Sequence, residues 1–190
     1  MSERRTSRTL LSGKRKTHAM ARPNFLVVKV GGSLYDLHNL RSKLHAWLED
    51  FSDCAVCIIP GGGKTADVVR DWDRRHELGE EKAHWLALRS LTLNAHWLAD
   101  LLPRATVLST PKKLLTRKNP FLFILDAHAF GVFDEQNADH LPHTWETTSD
   151  SVAAGVAIVF GADELYLLKS VEIPPAITWR QAADAGYVDS

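Results

Sequence analysis

Two apolar runs, Phe25-Leu26-Val27-Val28-Lys29-Val30 and Ala55-Val56-Cys57-Ile58-Ile59, end directly in glycine: Gly31-Gly32 after the first, Pro60-Gly61-Gly62-Gly63 after the second. A helical pattern follows each of them. Strands buried on both faces read as continuous apolar runs, and strands alternating with helices build a parallel sheet covered on both sides. The chain is therefore expected to form an α/β fold, a three-layer α/β/α sandwich with a mainly parallel central sheet. Asp36 is placed to cap a first helix carrying Leu37, Leu40, Leu44, Trp47, Leu48 and Phe51 at helical spacing. A second helix over about 65–78 would turn Val68, Val69 and Trp72 inward, and a long third over 80–102 would bury Trp85, Leu88, Leu91, Trp97, Leu98 and Leu101.

Further along, 105–109 and 121–125 read as short strands joined by a solvated basic connection containing Lys112, Lys113, Arg117 and Lys118. Thr148-Ser149-Asp150 caps a small-residue helix that runs to Phe160 and stops at Gly161, and 164–168 is a last strand. Thr178 and Gly186 bracket a short closing helix.

The 190 residues suit one domain, and 45% hydrophobic with 24% charged residues is globular composition. Acidic and basic side chains balance at 23 each. Residues 1–22, however, carry seven basic groups against Glu3, so the remainder, 23–190, is acidic by six charges. We read 1–22 as a basic, disordered extension and 23–190 as the folded domain, with Met20 an alternative start. No apolar run is long enough for a signal peptide or a spanning helix, so a soluble cytoplasmic protein without membrane or nucleic-acid partners is expected. Cys54 and Cys57 form a C-x-x-C inside a strand, where an odd separation sends the thiols to opposite faces. They read as core residues in a reducing compartment.

The two glycine turns would both lie at the carboxyl end of the sheet, before helix N-termini, where α/β folds bind anions. Gly61-Gly62-Gly63-Lys64-Thr65 is no Walker A loop, because the glycine due five positions before Gly63 falls on Ile58. A G-x-G-x-x-G fingerprint is also missing, which argues against a nicotinamide enzyme. Lys29 interrupts an apolar strand two positions before a glycine turn, a costly place for an ammonium unless it meets an anion. Lys169 ends the strand Leu165-Tyr166-Leu167-Leu168 in the same way, and a carboxylate at Asp150 would hold two such lysines apart and oriented. Asp126, His128, Asp134, Glu135, Asp139, His140 and His143 match no zinc signature; they read as a polar loop near an acceptor pocket, and no metal-binding residue is assigned. His45, His76, His84 and His96 read as packed or surface residues.

Val28-Lys29-Val30-Gly31-Gly32-Ser33-Leu34, Ile59-Pro60-Gly61-Gly62-Gly63 and Thr148-Ser149-Asp150-Ser151-Val152-Ala153, in this order, resemble the amino acid kinase superfamily, which includes aspartate, acetylglutamate, uridylate and isopentenyl phosphate kinases. The long helix with His84, Trp85 and Asn94, and the short length, look most like the small branch with the aminomethylfuran phosphate kinase of methanofuran biosynthesis. The resemblance implies ATP with Mg²⁺, a small anionic acceptor, a homo-oligomer and in-line phosphoryl transfer without a covalent enzyme intermediate. It implies that Lys29 contacts the transferred phosphoryl group, that Asp150 orients it, and that Lys169 serves as the second, nucleotide-side lysine. Gly31, Gly32 and Ser33 would cradle the ATP phosphates, and Gly61, Gly62 and Gly63 would hold the acceptor, with Lys64, Arg70, Thr148 and Ser149 beside it. One departure stands out: after Lys169 the family's Asp-Val-Asp-Gly-type segment is replaced by Ser170-Val171-Glu172-Ile173-Pro174-Pro175. A catalytically silent binding or assembly protein on the same fold is the alternative reading.

Overall fold

A computed structural model of the chain describes residues 24–116, 120–171, 174 and 177–186. The basic segment 1–22, Arg117 and Lys118 lie outside the described residues. Five strands form one sheet in the order β3-β4-β2-β1-β5, with β1 Phe25–Val30, β2 Ala55–Pro60, β3 Thr106–Leu108, β4 Phe121–Leu125 and β5 Glu164–Leu168. Every described strand pair is parallel. All six residues of β1 and of β2 are buried, as their uninterrupted apolar character requires of central strands. Asp163 fixes the entry to β1, its carboxylate accepting from the backbone N–H groups of Asn24 and Phe25 at 2.9 and 2.8 Å.

Alternation along β1 divides the interior in two. Phe25 and Val27 join Cys57, Ile59, Val152, Ala153 and Val156 on one face, while Leu26, Val28 and Val30 join Leu40, Leu44, Trp47, Ile58 and Leu98 on the other. The helices covering these faces are α1 Leu40–Glu49, α2 Gly63–His76, α3 Glu80–Leu101, α4 Ala127–Asp134, α5 Ser149–Phe160 and α6 Trp179–Asp184. The long α3 serves both cores, Leu88 and Leu91 in the first and Ala95 and Leu98 in the second. Each such leucine taken fully out of water contributes roughly 1.5–3 kcal/mol before conformational entropy is subtracted. Cys54 and Cys57 do fall into opposite cores, and burial pushes the Cys57 thiol up to about 12, so it is protonated and unreactive at neutral pH. Among the described residues no helix is long and apolar enough to cross a membrane.

The helix starting at Thr148 keeps the expected bounds because its ends are chemically marked. Thr148 and Ser151 form a capping box, and Gly161 closes the helix at φ 62°. Five expectations need correction. Asp36 is no helix cap: Gly32–Asp36 is a short 3₁₀ helix, and α1 starts after Asn39. Val69 is buried as expected, but Val68 and Trp72 are 46% and 49% exposed, and Ala66 is the residue that α2 turns in beside Val69. Trp97 is 37% exposed and packs edge-on against Tyr35 at 4.9 Å. The stretch 127–134 is helical and not loop, started by Asp126, whose carboxylate accepts from the Ala129 N–H at 3.1 Å. The basic connection after β3 is only partly solvated, because it winds into a 3₁₀ turn over Pro111–Thr116 that buries Leu114.

Candidate active site

The chain leaves β1 toward β2 on one side, and β5 returns on the other, so the carboxyl end of β1 is the topological switch point where open α/β sheets bind ligands. Lys29 lies there, in register with Ile59 of β2 and Leu167 of β5, on the face covered by α5. Its side chain is buried, and its Nζ stands 2.7 Å from Asp150 Oδ1. Lys169, one residue past β5, places its Nζ 2.5 Å from Asp150 Oδ2. One carboxylate thus holds two ammonium groups, and the trio retains one positive charge. Burial disfavours the ionised Asp150, but the two ammoniums and their hydrogen bonds prevail and hold its carboxyl below the ordinary range. Asp150 also sits in the first turn of α5, where the exposed N–H groups favour an anion.

A cavity of about 290 Å³ opens beside these groups, lined by Lys29, Lys169, Gly32, Ser33, Gly62, Gly63, Thr148 and Ser149. The N-termini of α2 and α5 both reach it. A larger hollow of about 430 Å³ lies by Cys54, Arg104 and Phe121, at the opposite, amino end of the strands and away from the lysines.

The glycines have an immediate structural reason that spacing did not reveal. A Cβ on Gly32 would stand 2.2 Å from the Gly63 nitrogen, one on Gly61 would stand 2.3 Å from the Gly32 nitrogen, and one on Gly31 would stand 2.7 Å from the Leu168 carbonyl oxygen. The two turns pack backbone against backbone. Gly31 and Gly61 spend their N–H groups on Leu168 and Val30, at 2.9 and 2.8 Å, and leave the cavity wall to Gly32, Gly62 and Gly63.

Asn94, buried on α3, holds the second turn in place. Its Nδ2 lies 2.8 Å from the Gly61 carbonyl, the Gly62 carbonyl and Thr65 Oγ1, three acceptors for two protons. Tyr35 adds a fourth tie, donating its hydroxyl to Gly61 O at 2.9 Å. Asn94→Ala is expected to destabilise the protein by about 1–3 kcal/mol, because the carbonyls it serves stay buried; the urea midpoint measures this, and an unchanged midpoint would mean that Tyr35 alone holds the turn.

Of the other residues singled out in the sequence, Arg70 lies on the cavity wall, bonded to Asp67 at 2.8 Å and stacked 5.1 Å over the Trp145 ring. Lys64 is not on that wall; its ammonium pairs with Asp36 at 2.6 Å on an exposed surface. Ser33 lines the cavity and accepts from the Ser170 hydroxyl at 2.8 Å. Sequence reasoning missed Thr144, Trp145 and Thr147, which complete the wall from the segment before α5. Trp145 is anchored by donating Nε1–H to Asp73 at 2.7 Å, and the Thr144 hydroxyl is buried without a partner among the described residues. His84, read as a packed or surface side chain, is buried and also lines the cavity. Its burial and the neighbouring His143 both favour the neutral ring and hold its pKa below the usual histidine value.

Comparison with known proteins gives the same fold and class. Residues 24–172 match the amino acid kinase family. The chain is similar to the [5-(aminomethyl)furan-3-yl]methyl phosphate kinase of Methanocaldococcus jannaschii, 26% identical over 149 residues that make up 77% of this chain and 66% of that protein. The match therefore spans just under two thirds of the relative's length. Among solved structures, uridylate kinase from Archaeoglobus fulgidus superposes with a TM-score of 0.57 at 18% identity, covering 82% of this chain and 69% of that one. UMP kinase from Bacillus anthracis gives 0.57 at 13% identity, covering 78% and 66%. These two likenesses establish the fold.

Proposed function

Because the chain belongs to the amino acid kinase family, we propose that it transfers a phosphoryl group from Mg·ATP to a small anionic metabolite in the cavity beside Lys29, Asp150 and Lys169. The observation that carries this reading is the pair of ammonium groups held 2.7 and 2.5 Å from one buried carboxylate, facing two helix N-termini at the switch point of a parallel sheet. Phosphoryl transfer needs little covalent chemistry from a protein; it needs reactants in line and the spreading charge neutralised. Lys29 would supply that charge to the transferred group, Lys169 to the nucleotide phosphates, and Asp150 would fix both ammoniums. Gly32 and Ser33 would carry the nucleotide phosphates, and Gly62, Gly63, Thr148 and Ser149 the acceptor.

The residues present suit a divalent cation that arrives on the phosphates. Both oxygens of Asp150 are already held by ammonium groups, and the carboxylate on the cavity wall, Asp67, shares Oδ1 with Arg70. Mg²⁺ keeps several waters and binds through substrate phosphates with few protein ligands, and when bound it neutralises part of their charge.

For the acceptor, the reading is a phosphate monoester of aminomethylfuran type. The similarity to the Methanocaldococcus enzyme supports it, and so does Arg70, a guanidinium on the wall suited to a second phosphate. A homo-oligomer belongs to the same reading, supported by exposed Val68 and Trp72 on α2 and Leu93 and Trp97 on the adjoining α3. The test is a panel of small phosphates and carboxylates with Mg·ATP, scored by acceptor-dependent ADP formation. Turnover with the aminomethylfuran phosphate is the expected result. If ATP yields neither turnover nor a rise in melting temperature while another anion stabilises the protein, the fold serves as a silent binder, since a ligand that prefers the native state must stabilise it.

A further inference from the structure

The histidines and glutamates between α4 and α5 take no part in the phosphate cavity's chemistry, yet they converge. Glu135, at the end of α4, and His140 and His143, on the segment after it, each present one ligand atom within 4.8 Å of the other two. His143 Nε2 lies 2.6 Å from Glu135 Oε1, and His140 Nδ1 lies 3.7 Å from the same oxygen.

A second layer orients this set. Glu81, on α3, accepts a hydrogen bond from His143 Nδ1 at 2.8 Å, and its other oxygen accepts from Trp85 Nε1 at 2.8 Å. A carboxylate only accepts, so the Nδ1 of His143 carries a proton and Nε2 is the atom left for a cation. Metal-bound histidines are held in this way, with the far ring nitrogen donating to a carboxylate. The His143 ring is further fixed by stacking on His84, centroids 4.8 Å apart and planes 18° apart, and by the edge of Trp85 at 5.0 Å.

We propose that Glu135, His140 and His143 form a binding site for one divalent transition-metal ion, with Glu81 orienting His143. Two imidazole nitrogens are borderline donors that favour Zn²⁺ over Mg²⁺ or Ca²⁺, which take oxygen ligands; the carboxylate oxygen completes three protein ligands and leaves a fourth position open. Ligand atoms around tetrahedral zinc stand about 3.3 Å apart, within the observed spread, so side-chain rotation suffices to close the site. On binding, the cation replaces the proton that Nε2 shares with Glu135, and that proton is released to solvent. The ion would tie the segment after α4 to the end of α4 and, through Glu81, to α3. The same segment continues into Thr144, Trp145 and Thr147 on the cavity wall, so the metal would stiffen that wall without touching the reacting groups.

The test is Zn²⁺ titration of the full chain, stripped of metal beforehand, in competition with a chromophoric chelator. One Zn²⁺ per chain is expected. His143→Ala and Glu135→Ala should each weaken binding by at least about 100-fold, and Glu81→Gln by about 10- to 100-fold through loss of orientation. His45→Ala, at an exposed position of α1, should bind as wild type does. Glu135 and His140 are exposed, so Glu135→Ala and His140→Ala should keep the wild-type melting temperature without metal, which separates lost ligation from lost folding. Co²⁺ in place of Zn²⁺ should give visible d–d bands that His143→Ala abolishes. The proposal is overturned if the chelator keeps all the Zn²⁺, or if binding is the same in wild type, His143→Ala and Glu135→Ala. Turnover is not a readout, so the result stands apart from the kinase assay.

Discussion

Lys29→Met is expected to lower turnover by about 100- to 1,000-fold, the usual cost of losing one preorganised group that meets developing charge. Methionine matches the length and apolar stem of lysine, and the site sits at the end of a fully buried strand, so the replacement fills the same volume. Asp150 keeps Lys169 at 2.5 Å and is not left as an isolated charge. The fold should therefore persist with a loss of about 1–3 kcal/mol, less than the 3–5 kcal/mol typical of an abandoned buried charge. The reduction should fall on kcat, with KM for ATP changed only a few-fold, because an ammonium at the transferred group acts mainly in the transition state. Arg70→Ala should do the reverse, raising KM for the acceptor. Full turnover in Lys29→Met would remove the central role assigned to that ammonium.

How the chain discloses this site follows from the range of the forces involved. β1, α5 and β5 were legible to the residue or nearly so, because buried strands and capped helix ends are local chemistry: an apolar run, Thr148 ahead of Asp150, Gly161 in the left-handed region. Lys29, Asp150 and Lys169 were legible for a related reason, as charges standing where the local pattern demands apolar or capping residues. α4 was hidden because its eight residues are too few for a period to emerge and the titratable groups around it suggested a loop. The inward placement of Trp72 and Trp97 failed because aromatic residues extend the apolar stripe beyond the arc that the sheet covers. Thr144, Trp145 and Thr147 carry no local signal; they reach the cavity only when the segment before α5 folds across α2, where Trp145 meets Asp73 and Arg70. The glycines were read as openings for phosphate, whereas their first necessity is the backbone contact between two turns far apart in sequence.

Asp150→Asn should destabilise the protein by about 3–5 kcal/mol at neutral pH, the largest stability effect expected of any substitution in the site. The amide is nearly isosteric, so no cavity forms. It removes the charge that faces ammonium groups at 2.7 and 2.5 Å, and it turns an NH₂ group toward one of them. The pH dependence follows from the direction of the carboxyl's shift. Its pKa in the folded protein lies below the ordinary value, so the unfolded chain takes up the proton first. The stability that Asp150 contributes is thus complete above its unfolded pKa of about 3.9 and is lost as pH falls through the lower folded value. Urea titrations at pH 7 and at pH 3 should show the gap between wild type and Asp150→Asn at full size in the first and smaller in the second. A gap of equal size at both values would mean that the asparagine acts by misfit and not by charge. Lys29→Met and Lys169→Met combined with Asp150→Leu separate stability from function, since replacing a whole buried charge triad with apolar side chains of similar size is often neutral or stabilising, and no ammonium is left without its carboxylate. That triple variant should recover most of the stability lost in Asp150→Asn while remaining without turnover, because the ammoniums that the chemistry requires are absent.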